Sequence, residues 1–464
     1  MSGSAGSSDP TGSESLPGAG AGESVAGSRL RVLLIANTLP PKDVSGVGEQ
    51  VLQLASGLRA LGHEVRVLGR GPGGARGPKV LFPLAVMGPT LRAVASWRPD
   101  VVQVHESDGA LAAAVARALR WSLRRKLFLV ALQQVSYRRE VAVVRPLRDG
   151  DRVISEPGAV ERRFLRFKAP LQVALGQWTA RQADLVLAPS LVTAAELRQD
   201  YGVSEATVLP NVTGGLAVEP VPMDTAMAHT PENTTGNTAE GTSQEPGGFF
   251  LFVGRLRVRK GVEVLLEALA RMRQRRREEG GPELPRLLVV GDGEHRPAIE
   301  AARDRLGLKD SVRLLGRASA GEVRWLLARA RALVVPSTYE GMPLVILEAM
   351  EAGVPVVASA VSGIPEVVVD CRWREESGLS TELKELTEFW AEESKRGVEE
   401  TGWLVPPEDA ASLAKALEET LAEEGAMARQ RGAAGRRRLE ALYRPRHGAS
   451  RWQQLIQDRL DRRT

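Results

Sequence analysis

Phe249-Phe250-Leu251-Phe252-Val253-Gly254-Arg255-Leu256-Arg257-Val258-Arg259-Lys260-Gly261 passes from five consecutive apolar residues straight into a basic loop. The apolar run is too short for a core helix, and a strand apolar at every position is one covered on both faces. A helix is predicted over 261–276, and the same alternation follows: strands over 287–290, 312–314, 333–335 and 356–358, helices over 296–306, 322–331 and 344–352. The first half repeats the scheme. Val32-Leu33-Leu34-Ile35-Ala36 reads as a buried strand. In 49–61, Val51, Leu52, Leu54, Ala55, Leu58 and Leu61 recur at helical spacing, with Gly62 at the C-cap position. Strands over 65–68, 101–104, 127–132 and 185–187 alternate with helices over 110–119 and 159–182. Alternating short buried strands and amphipathic helices make a parallel sheet with helices on both faces. The predicted fold is therefore α/β, with two doubly wound Rossmann-like domains facing across a cleft, because ligands of such sheets bind beyond the carboxyl ends of the strands.

The chain has 464 residues, 43% of them hydrophobic and 26% charged, too many for one domain of ~100–200 residues. Poor core-forming stretches mark the boundaries: a Gly/Ser-rich tail over 1–28, a Thr/Pro/Asn/Gly linker over 218–247, and a charged insertion at about 371–400. They leave a first domain over 29–217 and a second over 248–464. The insertion carries Leu383, Leu386 and Trp390 as an apolar stripe. The single cysteine, Cys371, excludes an internal disulfide framework and fits a reducing compartment. The best apolar stretch, 80–97, is interrupted by Pro83, Gly88, Pro89 and Arg92, and the tail lacks the basic start and apolar stretch of a secretory signal. A cytoplasmic protein is expected, so the sequons at Asn211 and Asn233 are expected to stay unmodified.

Net charge is +5, unevenly spread. Residues 29–217 hold 26 Lys and Arg against 15 Asp and Glu, whereas 218–464 hold 36 against 39. The segment 117–168 alone carries 14 cations against 5 anions. An anionic partner for the first domain is one reading. A generally high arginine usage, 53 Arg against 9 Lys, is the other.

Chemistry is expected in the strand-to-helix loops. Arg255 and Lys260, in a loop leaving a strand end, suit the oxygens of a diphosphate. In Pro336-Ser337-Thr338-Tyr339-Glu340-Gly341-Met342-Pro343-Leu344, proline suits the first helical turn, and the amides of Gly341, Met342 and Leu344 form an anion site at a helix N-terminus. Glu348 lies in the apolar run 344–350, where a carboxylate is costly without partners; sugar or ribose hydroxyls would serve. A diphosphate site beside Glu340 and Glu348 describes a site for a nucleotide-sugar donor.

These residues resemble the retaining glycosyltransferases of family four, which have the GT-B fold. The resemblance rests on the Gly-Arg-Leu…Lys-Gly loop (254–261), Val-Gly-Asp-Gly (290–293), the two glutamates 340 and 348, Glu-Ala-Met-Glu-Ala-Gly-Val-Pro-Val-Val (348–357), Gly-Ile-Pro-Glu-Val-Val (363–368) and Thr-Gly-Trp-Leu-Val-Pro-Pro (401–407). It covers most of 30–460. It implies that Arg255 and Lys260 bind the donor diphosphate and stabilise the leaving group, that Glu348 holds ribose hydroxyls, and that Glu340 contacts the transferred sugar. The amides of Gly341, Met342 and Leu344, with Gly254 and Pro343 shaping the loops, would sit by the phosphates. No nucleophile is assigned, no cofactor beyond the donor substrate is implied, and no metal-ligand cluster is visible. The first domain departs from the family's pattern. A paired glycine usual after the first strand is replaced by Ser45-Gly46-Val47-Gly48, in which Gly46 keeps the close approach. A histidine usual after the strand over 127–132 is replaced by Gln133-Gln134, leaving His105 as the nearest substitute.

A dinucleotide-binding fingerprint fails, since Gly46-Val47-Gly48 is followed by Glu49, Gln50 and Val51 and lies well past the first strand. Nucleic-acid binding lacks a motif, and aromatics make up 4% of the chain. A catalytically silent relative that binds a nucleotide sugar and supports a partner remains the alternative, its support being Gln133 and Gln134. The acceptor is not legible. The stretch Arg162-Arg163-Phe164-Leu165-Arg166-Phe167-Lys168 suits contact with an anionic membrane and a lipid-linked or envelope acceptor, or else a helix whose Phe164 and Phe167 enter the core.

Overall fold

The computed structural model describes residues 29–39, 46–71, 74–122, 126–214, 248–376 and 399–462. The tail, the linker 218–247 and most of the insertion, with Leu383, Leu386 and Trp390, lie outside them. Strands are numbered β1 (Arg31–Ile35), β2 (Glu64–Leu68), β3 (Val101–His105), β4 (Phe128–Leu132), β5 (Leu147–Asp149), β6 (Arg152–Ser155), β7 (Leu185–Ala188), β8 (Thr207–Val208), β9 (Phe249–Val253), β10 (Leu287–Val290), β11 (Val312–Gly316), β12 (Ala330–Val335), β13 (Val356–Ser359) and β14 (Gly402–Val405). Two six-stranded sheets form, ordered β2-β1-β3-β4-β7-β8 and β11-β10-β9-β12-β13-β14, and β5-β6 is a separate antiparallel hairpin. All neighbours within the two large sheets run parallel. Every residue of β3, β4 and β10 is buried, as strands between two helical layers must be. In both sheets the strand order reverses beside the first strand, between β1 and β3 and between β9 and β12. Those switch points fix where a ligand can enter.

Local chemistry altered several expected elements. The helix expected over 159–182 is two, Ala159–Phe167 and Ala169–Gln182, because Pro170 starts a new first turn. Phe167 is 65% exposed, so it does not enter the core. The helix expected over 322–331 is Ala320–Leu327; it opens on a capping box between Ser319 and Glu322, and β12 already begins at Ala330. Pro343 is the N-cap of helix Leu344–Ala352 rather than its first residue, with ψ 122. The segment Lys79–Trp97 is long and apolar enough to cross a membrane by length and composition alone. It folds as short helical pieces, with Phe82, Val86, Val94 and Trp97 in the core of the first sheet.

Two segments cross between the halves. The hairpin β5-β6 puts Leu147 and Ile154 into the core of the second sheet, with Phe250, Leu265 and Leu417. In return helix Pro445–Asp461 packs on the first sheet: Trp452 and Ile456 join Val32, Leu54 and Val130, and the Trp452 indole donates to Gln103 Oε1 at 2.7 Å. A Cβ on Gly57 would stand 2.8 Å from the Ala449 Cβ, so this helix lies directly on helix Gly46–Ala60. The core of the first half is therefore completed by the last residues of the chain.

Candidate active site

The loops that leave β9 and β12, on either side of the second sheet's switch point, meet. Lys260 Nζ contacts Glu340 Oε1, and Arg259 Nη1 lies 3.4 Å from Glu340 Oε2 while donating to the Tyr339 carbonyl at 2.9 Å. The Ser337 hydroxyl donates to Glu340 Oε1 at 2.8 Å. The loops are tied at the backbone as well, where the Thr338 amide donates to the Arg259 carbonyl at 2.8 Å. Burial opposes ionisation of Glu340. The charges of Lys260 and Arg259 and the hydrogen bonds override it, holding the carboxyl at about 2. Burial conversely lowers the Lys260 ammonium from its usual value, against the pull of Glu340.

The first half reaches this loop directly. Arg259 pairs with Glu140 at 3.2 Å. The Tyr339 phenol donates to Glu196 Oε2 at 2.7 Å and accepts from the Ser136 amide at 3.1 Å. Asn211 Nδ2 donates to the Met342 carbonyl at 2.8 Å, and its amide pairs with that of Gln134. Asn211 is 3% exposed, so the sequon there is closed to modification. Gly341 is required by packing: a Cβ would stand 2.0 Å from the Gln134 carbonyl oxygen. Across the seam Gly46, which opens helix Gly46–Ala60, faces Leu344, which opens Leu344–Ala352; a Cβ on Gly46 would stand 3.7 Å from Leu344 Cδ1. Two helix N-termini thus converge on one cleft. The Gly341 and Met342 amides form no backbone hydrogen bond among the described residues.

Other expected residues lie differently. Arg255 does not join Lys260; its side chain is 60% exposed and pairs with Glu294 at 3.2 Å, as Arg257 does at 3.1 Å. The cation beside Lys260 is Arg259, from the same basic loop. The sequence could not rank the four cations of that loop, because only the turn Val258–Lys260 decides which of them points inward. Gly254 sits under the neighbouring loop, where Gly291 (φ 131) lets backbone approach: a Cβ there would stand 1.8 Å from the Gly254 carbonyl. Glu348 is half-buried with no ion pair or hydrogen bond among the described residues. Burial, then the charge of Glu49, pushes it up to about 7.

On the first-half side His105 is 1% exposed at the end of β3 and lies 3.0 Å from Gln103, and burial drops its pKa to about 3. It is a neutral imidazole with Nδ1 unpartnered. Gln133 is wholly buried with neither amide atom bonded. Glu106, which sequence reasoning passed over, adopts φ 61 and ψ −176, a region populated essentially by glycine alone and costing about 1–3 kcal/mol. No local sequence signal marks such strain.

Comparison with known proteins agrees with this architecture. The family model "Glycosyltransferase Family 4" matches residues 44–213, and "Glycosyl transferases group 1" matches 248–423. The chain belongs to this glycosyltransferase family. It is 27% identical over 414 residues to a glycogen synthase of Mycobacterium tuberculosis, covering 79% of this chain and 88% of that one. It is 29% identical over 274 residues to a 2-deoxystreptamine glucosyltransferase of Streptomyces kanamyceticus, covering 59% and 62%. Among solved structures, sucrose-phosphate synthase from Thermosynechococcus elongatus aligns with TM-score 0.64 and 24% identity, covering 93% of this chain and 99% of that one. The catalytic domain of starch synthase IV from Arabidopsis thaliana, bound to ADP and acarbose, aligns with TM-score 0.61 and 14% identity over 94% and 100%. The fold is GT-B, and the protein is a glycosyltransferase.

Proposed function

We propose that this enzyme transfers a sugar, with retention of anomeric configuration, from a nucleoside-diphosphate sugar to a hydroxyl acceptor held on the first half. The observation that carries the reading is the pair of cations, Lys260 and Arg259, on the buried Glu340, beside the open amides of Gly341 and Met342. As the donor's anomeric bond breaks, negative charge grows on the diphosphate. Fixed cations and amides in a desolvated cleft stabilise that charge without reorganising. Glu340, ionised at any physiological pH, places a fixed negative charge where positive character develops on the sugar. Glu348 suits the ribose, whose hydroxyls would supply the partners it lacks. Same-face attack, as in the family this chain resembles, gives retention without a covalent nucleophile. A chain whose one cysteine is Cys371 has no internal disulfide, which accords with a cytoplasmic setting.

The test is a panel of UDP-, GDP- and ADP-sugars offered to the purified protein with sugar and polyol acceptors. Release of one nucleoside diphosphate, with an α-linked product by NMR, is the expected result. Donor-induced thermal stabilisation without turnover would instead favour a silent relative.

A membrane-proximal acceptor has separate support. Val160, Phe167 and Leu171 are 62%, 65% and 60% exposed beside Arg162, Arg163, Arg166 and Lys168. Other basic residues of this half are already spent on the second half, as in the pairs of Arg145 with Glu408 at 2.9 Å and of Arg152 with Glu267. Salt-sensitive co-sedimentation with phosphatidylglycerol vesicles, absent with phosphatidylcholine, is expected. Equal sedimentation with both would remove the reading.

A further inference from the structure

Four buried polar side chains at the carboxyl edge of the first sheet have atoms with no hydrogen-bond partner among the described residues: Asn37 Oδ1, His105 Nδ1, Glu106 Oε2 and both amide atoms of Gln133. They are 5%, 1%, 9% and 0% exposed. The strand register explains why they gather. Ile35 pairs with Val104 and Val104 with Ala131. Asn37, Glu106 and Gln133 follow just beyond the ends of these three neighbouring strands, β1, β3 and β4. This edge abuts the loop of Glu340. Glu106 Oε1 accepts from the Gln134 amide at 2.7 Å, and the Gln134 carbonyl is the atom packed against Gly341. Asn37 is held by its donor side, with Nδ2 giving a hydrogen bond to Asp108 at 2.7 Å, so its oxygen is the free end.

We propose that Glu106 accepts a hydrogen bond from a hydroxyl of the acceptor through Oε2, with Gln133 and Asn37 completing a pocket for a polyhydroxylated ligand; this rests on the transferase reading above. Buried polar atoms are otherwise bonded in native proteins, and several orphans at the ends of neighbouring strands call for a ligand that both donates and accepts. Alcohol groups do both. The backbone at Glu106 supports the same conclusion: a residue held at φ 61 and ψ −176 would be glycine if shape were all that mattered. The carboxyl is therefore placed there at a conformational cost. Burial pushes it up to about 7, against the Tyr137 phenol and the Gln134 amide, with Glu140 and Asp108 adding to the rise. A hydroxyl donated to Oε2 would restore one of the stabilising contacts that a buried carboxylate lacks.

The experiment compares the wild type with Glu106→Gln and Glu106→Gly, using glucose, glucose 6-phosphate, maltotriose and myo-inositol as acceptor probes with the donor the wild type uses. In both variants kcat/KM for the acceptor is expected to fall by about tenfold or more, while the thermal shift induced by the nucleotide is retained. A purely structural or water-filled pocket would give the opposite: unchanged acceptor kinetics for Glu106→Gln. That result would overturn the proposal even though the wild type turns over. A wild type silent towards every donor would remove the transferase reading and this inference with it.

Discussion

Lys260→Ala is expected to lower turnover by about 10²–10³-fold, the loss seen when one preorganised donor to a developing anion is removed. Lys260 and Arg259 are the two cations on Glu340, and both are largely withdrawn from water, with side chains 17% and 16% exposed. In such a site a charge acts on the leaving diphosphate with far less screening than at the surface. The fold should survive. Arg259 and Ser337 still hold Glu340, so a melting temperature lower by no more than about 5 °C is expected. Arg255→Ala is the internal comparison. Its side chain lies out on Glu294, and a clearly smaller loss of turnover is expected than for Lys260→Ala. Equal losses in the two variants, or an unchanged rate in Lys260→Ala, would refute the assignment of the inner cation pair. Acid should act on the same cluster. Glu340 titrates at about 2 when folded and near 4.5 when free, so its stabilising contribution is complete above about pH 4.5 and is lost as pH falls towards 2.

His295→Ala is expected to cost about 3–5 kcal/mol of stability, because it strips a buried charge cluster of its cation. His295 is 1% exposed; Nε2 contacts Glu263, and Nδ1 lies 3.4 Å from Glu161 Oε2. The Ser155 hydroxyl at the end of β6 donates to Glu263 at 2.7 Å, and the Val258 amide donates to Glu161 at 2.9 Å. The cluster therefore fastens the crossing hairpin and helix Ala159–Phe167 to the loop that presents Arg259 and Lys260. Burial alone would lower the pKa of His295; the hydrogen bonds and charges of Glu161 and Glu263 raise it to about 10. A raised histidine stabilises fully below its unfolded value near 6.5, and the contribution disappears as pH rises through about 10. Urea denaturation at pH 7 and at pH 10 should show a loss of stability in the wild type that is largely absent in His295→Gln. Parallel pH dependence in the two proteins would sink the idea that His295 is a buried imidazolium.

Most of the secondary structure was legible because it is dictated locally. Runs such as Phe249–Val253 and Val101–Val104 carry no polar residue that could face water, apart from Gln103, and the structure buries Gln103 completely beneath Trp452. Helix Leu344–Ala352 falls where its apolar residues, Pro343 and Gly353 place it. The sequence reading placed Lys260 and Glu340 in one donor site, but their direct contact follows from the pairing of β9 with β12, which only the structure shows.

The sequence by itself therefore determined the alternation of strands and helices, the two parallel sheets and the loops that carry charge, because hydrophobic period, capping and strand length act within a few residues. Only the tertiary structure decided which cations face inward, that Tyr339 and Asn211 seam the two halves, and that the chain exchanges a hairpin for a C-terminal helix. It also decided that Asn37, Glu106 and Gln133 gather at one edge of the first sheet. Apart from the turn that aims Lys260 and Arg259, these depend on residues distant in the chain meeting at an orientation set by strand register and sheet packing, and no local pattern in the chain encodes that orientation.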